Sequence, residues 1–151
     1  MPSYRYATSP QSYPDGSIPE HLPTDAYGRP YVAVAGDGRV TSTSRIVSAA
    51  ADTNATSAKA TPGTLYSVKG YNAAAAARYL KFYDKASAPT VGTDTPVLTI
   101  YLPATTAFVL DWPAGRYFAT GIAYGMVTGS ADNSAAALTA GDVLGLNVEY
   151  A

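Results

Sequence analysis

Short apolar runs separated by turn residues fill the second half of this chain. Val97-Leu98-Thr99-Ile100-Tyr101-Leu102 lies between Pro96 and Pro103, and its Leu98, Ile100 and Leu102 alternate with Thr99 and Tyr101. A period of two sends successive side chains to opposite faces of a strand, so one face is expected to be buried. Val143 to Tyr150 has the same rhythm, which predicts Leu144, Leu146, Val148 and Tyr150 facing inward and Gly145, Asn147 and Glu149 facing out. Leu65 to Val68 and Ala107 to Trp112 are further strand candidates, the second ending at Pro113-Ala114-Gly115, and Arg116 to Val127 is a longer run containing Gly121 and Gly125. Regularly spaced short segments of this kind predict an antiparallel sandwich.

One stretch carries conflicting signals. Asn72 is followed by five alanines and then by RYLKFYDKA, a potential cap leading into strong helix formers. Alternation favours a strand instead, with Leu80 and Phe82 facing inward and Tyr79, Lys81 and Tyr83 facing out. The reading adopted is a strand over Arg78 to Tyr83 after an alanine turn.

The N-terminal region differs in character. Residues 1–30 hold six of the 11 prolines and four tyrosines, Tyr4, Tyr6, Tyr13 and Tyr27, with few aliphatic side chains. Proline fixes φ and removes a backbone donor, so an extended segment is expected. The repeated tyrosines, each offering a large contact area and a hydrogen-bonding tip, suit an arm that docks on a neighbour. Tyr31-Val32-Ala33-Val34 and Arg39-Val40-Thr41 flank Gly36-Asp37-Gly38 and read as a hairpin, with Tyr31 counted among the arm's contact residues. The expected organisation is an extended arm with a short hairpin over residues 1–47, a linker or long loop over 48–63, and a sandwich domain over 64–151. The fold class is all-β, an antiparallel, jelly-roll-like β-sandwich with an extended N-terminal arm.

Composition narrows the functional classes. Ten basic and 11 acidic residues leave a formal net charge of −1, and the basic residues are scattered, so no electrostatic footprint for nucleic acid is present. No window approaches the 18 or so consecutive apolar residues of a membrane-spanning helix, and no membrane partner is expected. There is no cysteine, and the single histidine, His21, sits alone in the proline-rich region. Asp15, Asp37, Asp94, Asp132 and Asp142 stand beside the small and polar residues of turns. No nucleophile, base and orienting group fall into a recognisable pattern, so the sequence predicts no catalytic, cofactor-binding or metal-binding residues. Trp112, in step with Leu110 and Phe108, has two readings: a core or rim residue of its strand, or a sugar-stacking platform.

Particular motifs of residues 63–151 resemble a known group. They are Gly63-Thr-Leu-Tyr, Arg78-Tyr-Leu-Lys-Phe-Tyr-Asp-Lys-Ala, Gly92-Thr-Asp-Thr-Pro-Val-Leu-Thr-Ile, Pro113-Ala-Gly-Arg-Tyr-Phe-Ala-Thr-Gly-Ile-Ala and Asn147-Val-Glu-Tyr. Together they resemble small bacteriophage virion proteins of the head-decoration or accessory type. The resemblance implies a non-enzymatic β-sandwich carried on a virus particle assembled in the host cytoplasm. Its implied partners are other virion proteins, whether capsid, neck or tail subunits, and further copies of itself as a homo-oligomer. The leading expectation is a capsid decoration or cement protein; a carbohydrate- or receptor-binding module of a head fibre or tail is the alternative.

Overall fold

Eight antiparallel strands and no helix account for the regular structure of residues 42–151, the part of the chain that the computed structural model describes. In chain order they are β1 (Ser42–Ser48), β2 (Thr56–Lys59), β3 (Gly63–Asn72), β4 (Arg78–Asp84), β5 (Leu98–Leu102), β6 (Thr106–Phe118), β7 (Ile122–Val127) and β8 (Val143–Tyr150). They form two four-stranded sheets, ordered β1-β8-β3-β6 and β2-β7-β4-β5, which make a β-sandwich. The hairpin expected at residues 31–41, together with Tyr4, Tyr6, Tyr13, Tyr27, Tyr31 and His21 of the arm, lies outside the described residues.

The inner faces meet in one apolar cluster. Leu65 and Val68 of β3, Leu146 and Val148 of β8, and Phe108 and Phe118 of β6 pack against Leu80 and Phe82 of β4, Ile100 and Leu102 of β5, and Ile122, Tyr124 and Met126 of β7. Phe82 is its aromatic centre, with ring centroids 6.2 Å from Phe118 and 5.9 Å from Tyr124. Each such buried side chain contributes about 1.5–3 kcal/mol relative to exposure.

Asn72 settles the competition between helix and strand. It is fully buried at the end of β3, and its Nδ2 donates to the carbonyls of Ala76, Leu102 and Pro103 at 3.0–3.1 Å while its Oδ1 accepts from Ala74 N. The side chain therefore holds the alanines in a turn rather than capping a helix through them. Tertiary packing then selects the strand, since Leu80 and Phe82 are wholly buried.

Three details of the strand layout differ from the sequence reading. The sandwich does not start at residue 64, because β1 pairs along its length with β8 and β2 pairs with β7, within the stretches assigned to arm and linker. Both are edge strands with little inward surface, so their composition is small and polar: Ile46 reaches the core, and Ser44 Oγ meets the Tyr124 hydroxyl at 2.9 Å. Leu144 is exposed and Val143 buried, the reverse of strict alternation. Gly145, at φ 57°, is the extra residue where the β3 register shifts between Lys69 and Tyr71; this bulge resets the alternation. Finally, β6 continues through Pro113 to Phe118. Its register slips opposite Tyr66, so residues 112–115 bulge out of the ladder, which a proline at a sheet edge tolerates.

Candidate interaction face and the polar seam opposite it

The two outer faces of the sandwich are treated differently by the chain. On β4 two of the three residues expected to face solvent are buried: Lys81 is 0% and Tyr83 1% exposed, while Tyr79 stays partly exposed. Their neighbours on the same face of β7, Ala123 and Val127, are also fully buried. The cover comes from the segments that follow β4 and β7. Val91 lies so close over Gly125 that a β-carbon there would stand 2.6 Å from Val91 Cγ2. A β-carbon on Gly92 would stand 2.7 Å from Ala135 Cβ and 3.1 Å from the Asn133 carbonyl oxygen, so the two segments approach closely above the sheet. Lys81 and Tyr83 thus correct the sequence expectation. Alternation placed them on the outer face, and loops then roofed that face.

Between these segments is a polar seam. Gly92, Thr93, Asp94, Thr95, Asp132 and Asn133 line a shallow pocket of about 110 Å³. Lys81 Nζ, beneath it, donates to the carbonyls of Ala131, Asp132 and Ser134, so the covering loop is tied to the strand. Burial pushes the Lys81 ammonium below its ordinary value, and the charge of Asp132 opposes that shift. Asp94 Oδ2 accepts from Lys85 Nζ at 2.5 Å and from Thr90 N at 2.7 Å; these bonds hold its carboxyl below the usual range. The Tyr83 hydroxyl is buried with no hydrogen-bond partner among the described residues, and burial, aided by Asp94 and Asp132, raises its pKa. Two ammonium groups face two carboxylates, so the seam has no surplus charge. Among the described residues, no three His, Asp or Glu side chains converge as metal ligands.

Asp84 and Asp142 act as local staples. Asp84 collects the backbone N–H groups of Ala119, Thr120 and Gly121, pinning the β6–β7 turn; burial pushes its pKa up, but the three donors outweigh this and hold it low. Asp142 accepts from Arg78 Nε at 2.7 Å and Thr139 N at 2.8 Å. Again burial opposes and the Arg78 bond lowers, with a net downward shift.

The outer face of the β1-β8-β3-β6 sheet carries most of the exposed apolar surface. Seven large apolar side chains are exposed among the described residues, and five of them, Val47, Tyr71, Val109, Tyr117 and Leu144, lie on this face. Val47 and Val109 are each 66% exposed and Tyr117 67%. Tyr71 is paired in register with both Leu144 and Ala107, and Val47 on β1 and Val109 on β6 stand beside that row, so exposed apolar side chains occur on all four strands. Around it stand Arg45, Lys69, Asp111 and Glu149, with Lys69 and Glu149 paired to each other. A contiguous apolar band rimmed by charge is the usual mark of an interaction surface.

Sequence reasoning found few of these residues. Tyr71, Val109 and Leu144 occupy strand positions that alternation alone assigns to one face or the other, and only the register brings them together. Trp112, the sugar-stacking candidate, is half-buried in the β6 bulge and packs against the core cluster. Asp94, Asp132 and Asp142, read as turn residues, are in or beside turns, but Asp94 and Asp132 also line the seam. Comparison with protein-family models, with curated proteins and with solved structures returns no match to this chain.

Proposed function

We propose that this chain is a structural component of a bacteriophage particle, a capsid decoration or cement protein that stabilises the assembled shell and performs no catalysis. The observation that carries the reading is the asymmetry of the sandwich: among the described residues, one outer face is roofed by loops and the other is uncovered, apolar and charge-balanced. Such a face contributes free energy only when another surface covers it, so it stabilises the assembled state by mass action. Repetition around a symmetric shell multiplies weak contacts of this kind. The tyrosine-bearing N-terminal arm adds a second attachment point, running along a neighbouring virion subunit. The resemblance of the strand and turn motifs over 63–151 supports the same class.

A receptor- or carbohydrate-binding module of a head fibre or tail is the second reading. The polar pocket favours it, since carboxylate, amide and hydroxyl groups match the hydroxyls of a sugar. Electron microscopy of particles with and without the protein separates the two. Density spread over the capsid supports decoration; density confined to a fibre or tail tip overturns it in favour of the second reading.

A further inference from the structure

We infer that the bare face of the first sheet is a self-association surface, on which two copies of this chain pack face to face about a two-fold axis running along the seam between β8 and β3. The inference rests on the assembly reading above and names the partner for the same face.

Area, charge and placement select a second copy. A four-stranded sheet with strands about 4.8 Å apart and about eight residues long covers roughly 500 Å². Two such faces bury about 1,000 Å² together, the lower bound for a specific interface, so a modest but real dimer is expected. The face carries Arg45 and Lys69 against Asp111 and Glu149, and the whole chain has a net charge of only −1. A surface with equal numbers of both signs does not repel itself, as a single-sign surface would.

Placement is the most specific of the three. A two-fold axis parallel to the strands sets β1 of one copy over β6 of the other, and β8 over β3. Val47 and Val109 sit on opposite edge strands, one alternate residue apart in height, so each is brought towards the other's counterpart at the partner's far edge with an offset of about 7 Å. Tyr71 and Leu144 are register neighbours on the two central strands, so each Tyr71 covers Leu144 of the partner subunit. Arg45 and Asp111 also lie on opposite edges, one alternate residue apart in height, since Arg45 shares a row with Asn147, Lys69 and Val109, and Asp111 with Ser67, Glu149 and Thr43. That step is about 7 Å, within the reach of an arginine towards Asp111 of the partner subunit.

The test is sedimentation equilibrium of the full-length chain. A weak dimer, with a dissociation constant on the order of 10 µM, is expected, since contacts at the low end of the size range are mostly transient. Val109→Asp should weaken it about 100-fold, because each substitution enters a two-fold interface twice. Val47→Asp should act alike from the opposite edge, while Tyr101→Asp, on the exposed β5 of the other sheet, should leave the dimer intact. Circular dichroism should be unchanged in all three, since the replaced side chains are exposed. A dimer that survives both Val substitutions overturns the inference, and so does a chain that stays monomeric at high concentration. If that monomer still co-sediments with protein-depleted particles and Val109→Asp abolishes it, the face belongs to a shell subunit and the assembly reading stands. Absence of both activities overturns the two together.

Discussion

Replacing Asp84 with asparagine tests how strongly one carboxylate holds the β6–β7 turn. Its two oxygens accept from three backbone N–H groups, Ala119 at 3.0 Å, Thr120 at 2.6 Å and Gly121 at 3.2 Å. A hydrogen bond to an ionised group contributes about 1.5–3 kcal/mol, but this carboxylate is partly exposed and water competes for it, so the three together are discounted to about 2–3 kcal/mol. Asparagine keeps the shape but offers one neutral acceptor oxygen and presents an NH₂ where the other oxygen stood. Asp84→Asn should therefore lose about 2 kcal/mol at pH 7, measured by urea denaturation. The pH dependence gives a sharper check. The folded-state pKa lies below the unfolded one, so the contribution is complete above the unfolded value of about 3.9 and is lost as pH falls through the folded value. The gap between wild type and variant should shrink at acid pH, and comparing the two proteins cancels the parallel titration of Asp142. An equal loss at pH 7 and at acid pH, or no loss at pH 7, would refute the charge-assisted account.

Other substitutions probe the packing directly. Gly121→Ala places a β-carbon 2.6 Å from the Lys59 carbonyl oxygen, 2.7 Å from that of Lys85 and 2.9 Å from Ala86 Cα, all backbone; a loss of about 3 kcal/mol in the same denaturation assay is expected. Tyr83→Phe removes a buried hydroxyl that bonds to no described residue, so stability should stay level or rise by up to about 1 kcal/mol; a loss larger than that would show the hydroxyl to be bonded. Trp112→Ala should lower stability by about 2–3 kcal/mol, below the cost of a fully buried tryptophan because the ring is half-exposed; unchanged melting together with loss of glycan binding would assign it to a sugar platform instead.

The elements legible in the sequence were those whose alternation is set by a single buried face. In β5, Ile100 and Leu102 are buried and Thr99 and Tyr101 exposed, as the period of two requires. Alternation failed wherever a second influence entered. In β4, Lys81 and Tyr83 alternate correctly with Leu80 and Phe82, yet the segments that follow β4 and β7 fold back over them, and strand periodicity carries no information about such cover. In β8, a single left-handed glycine displaced Leu144 and Val143 from their expected faces. β1 and β2 escaped notice because edge strands bury little, so serine and threonine there look like linker. The bare face was illegible for a related reason: its apolar band is assembled from one or two residues on each of four strands, and only the strand order makes them neighbours.

That strand order also governs when the fold can form. β8, the last of the eight described strands, lies between β1 and β3, the first and third of them, and hydrogen-bonds to both. During synthesis, β1 and β3 emerge with their facing edges unpaired, and neither can close the first sheet until residues 143–150 have left the ribosome. Pairing between strands so distant in sequence places folding in the slow range, on the order of milliseconds to seconds. Throughout that interval two complementary strand edges are open to pairing with other nascent chains. High-level synthesis should therefore raise the fraction of misassembled protein steeply with concentration, and slowing translation should reduce it.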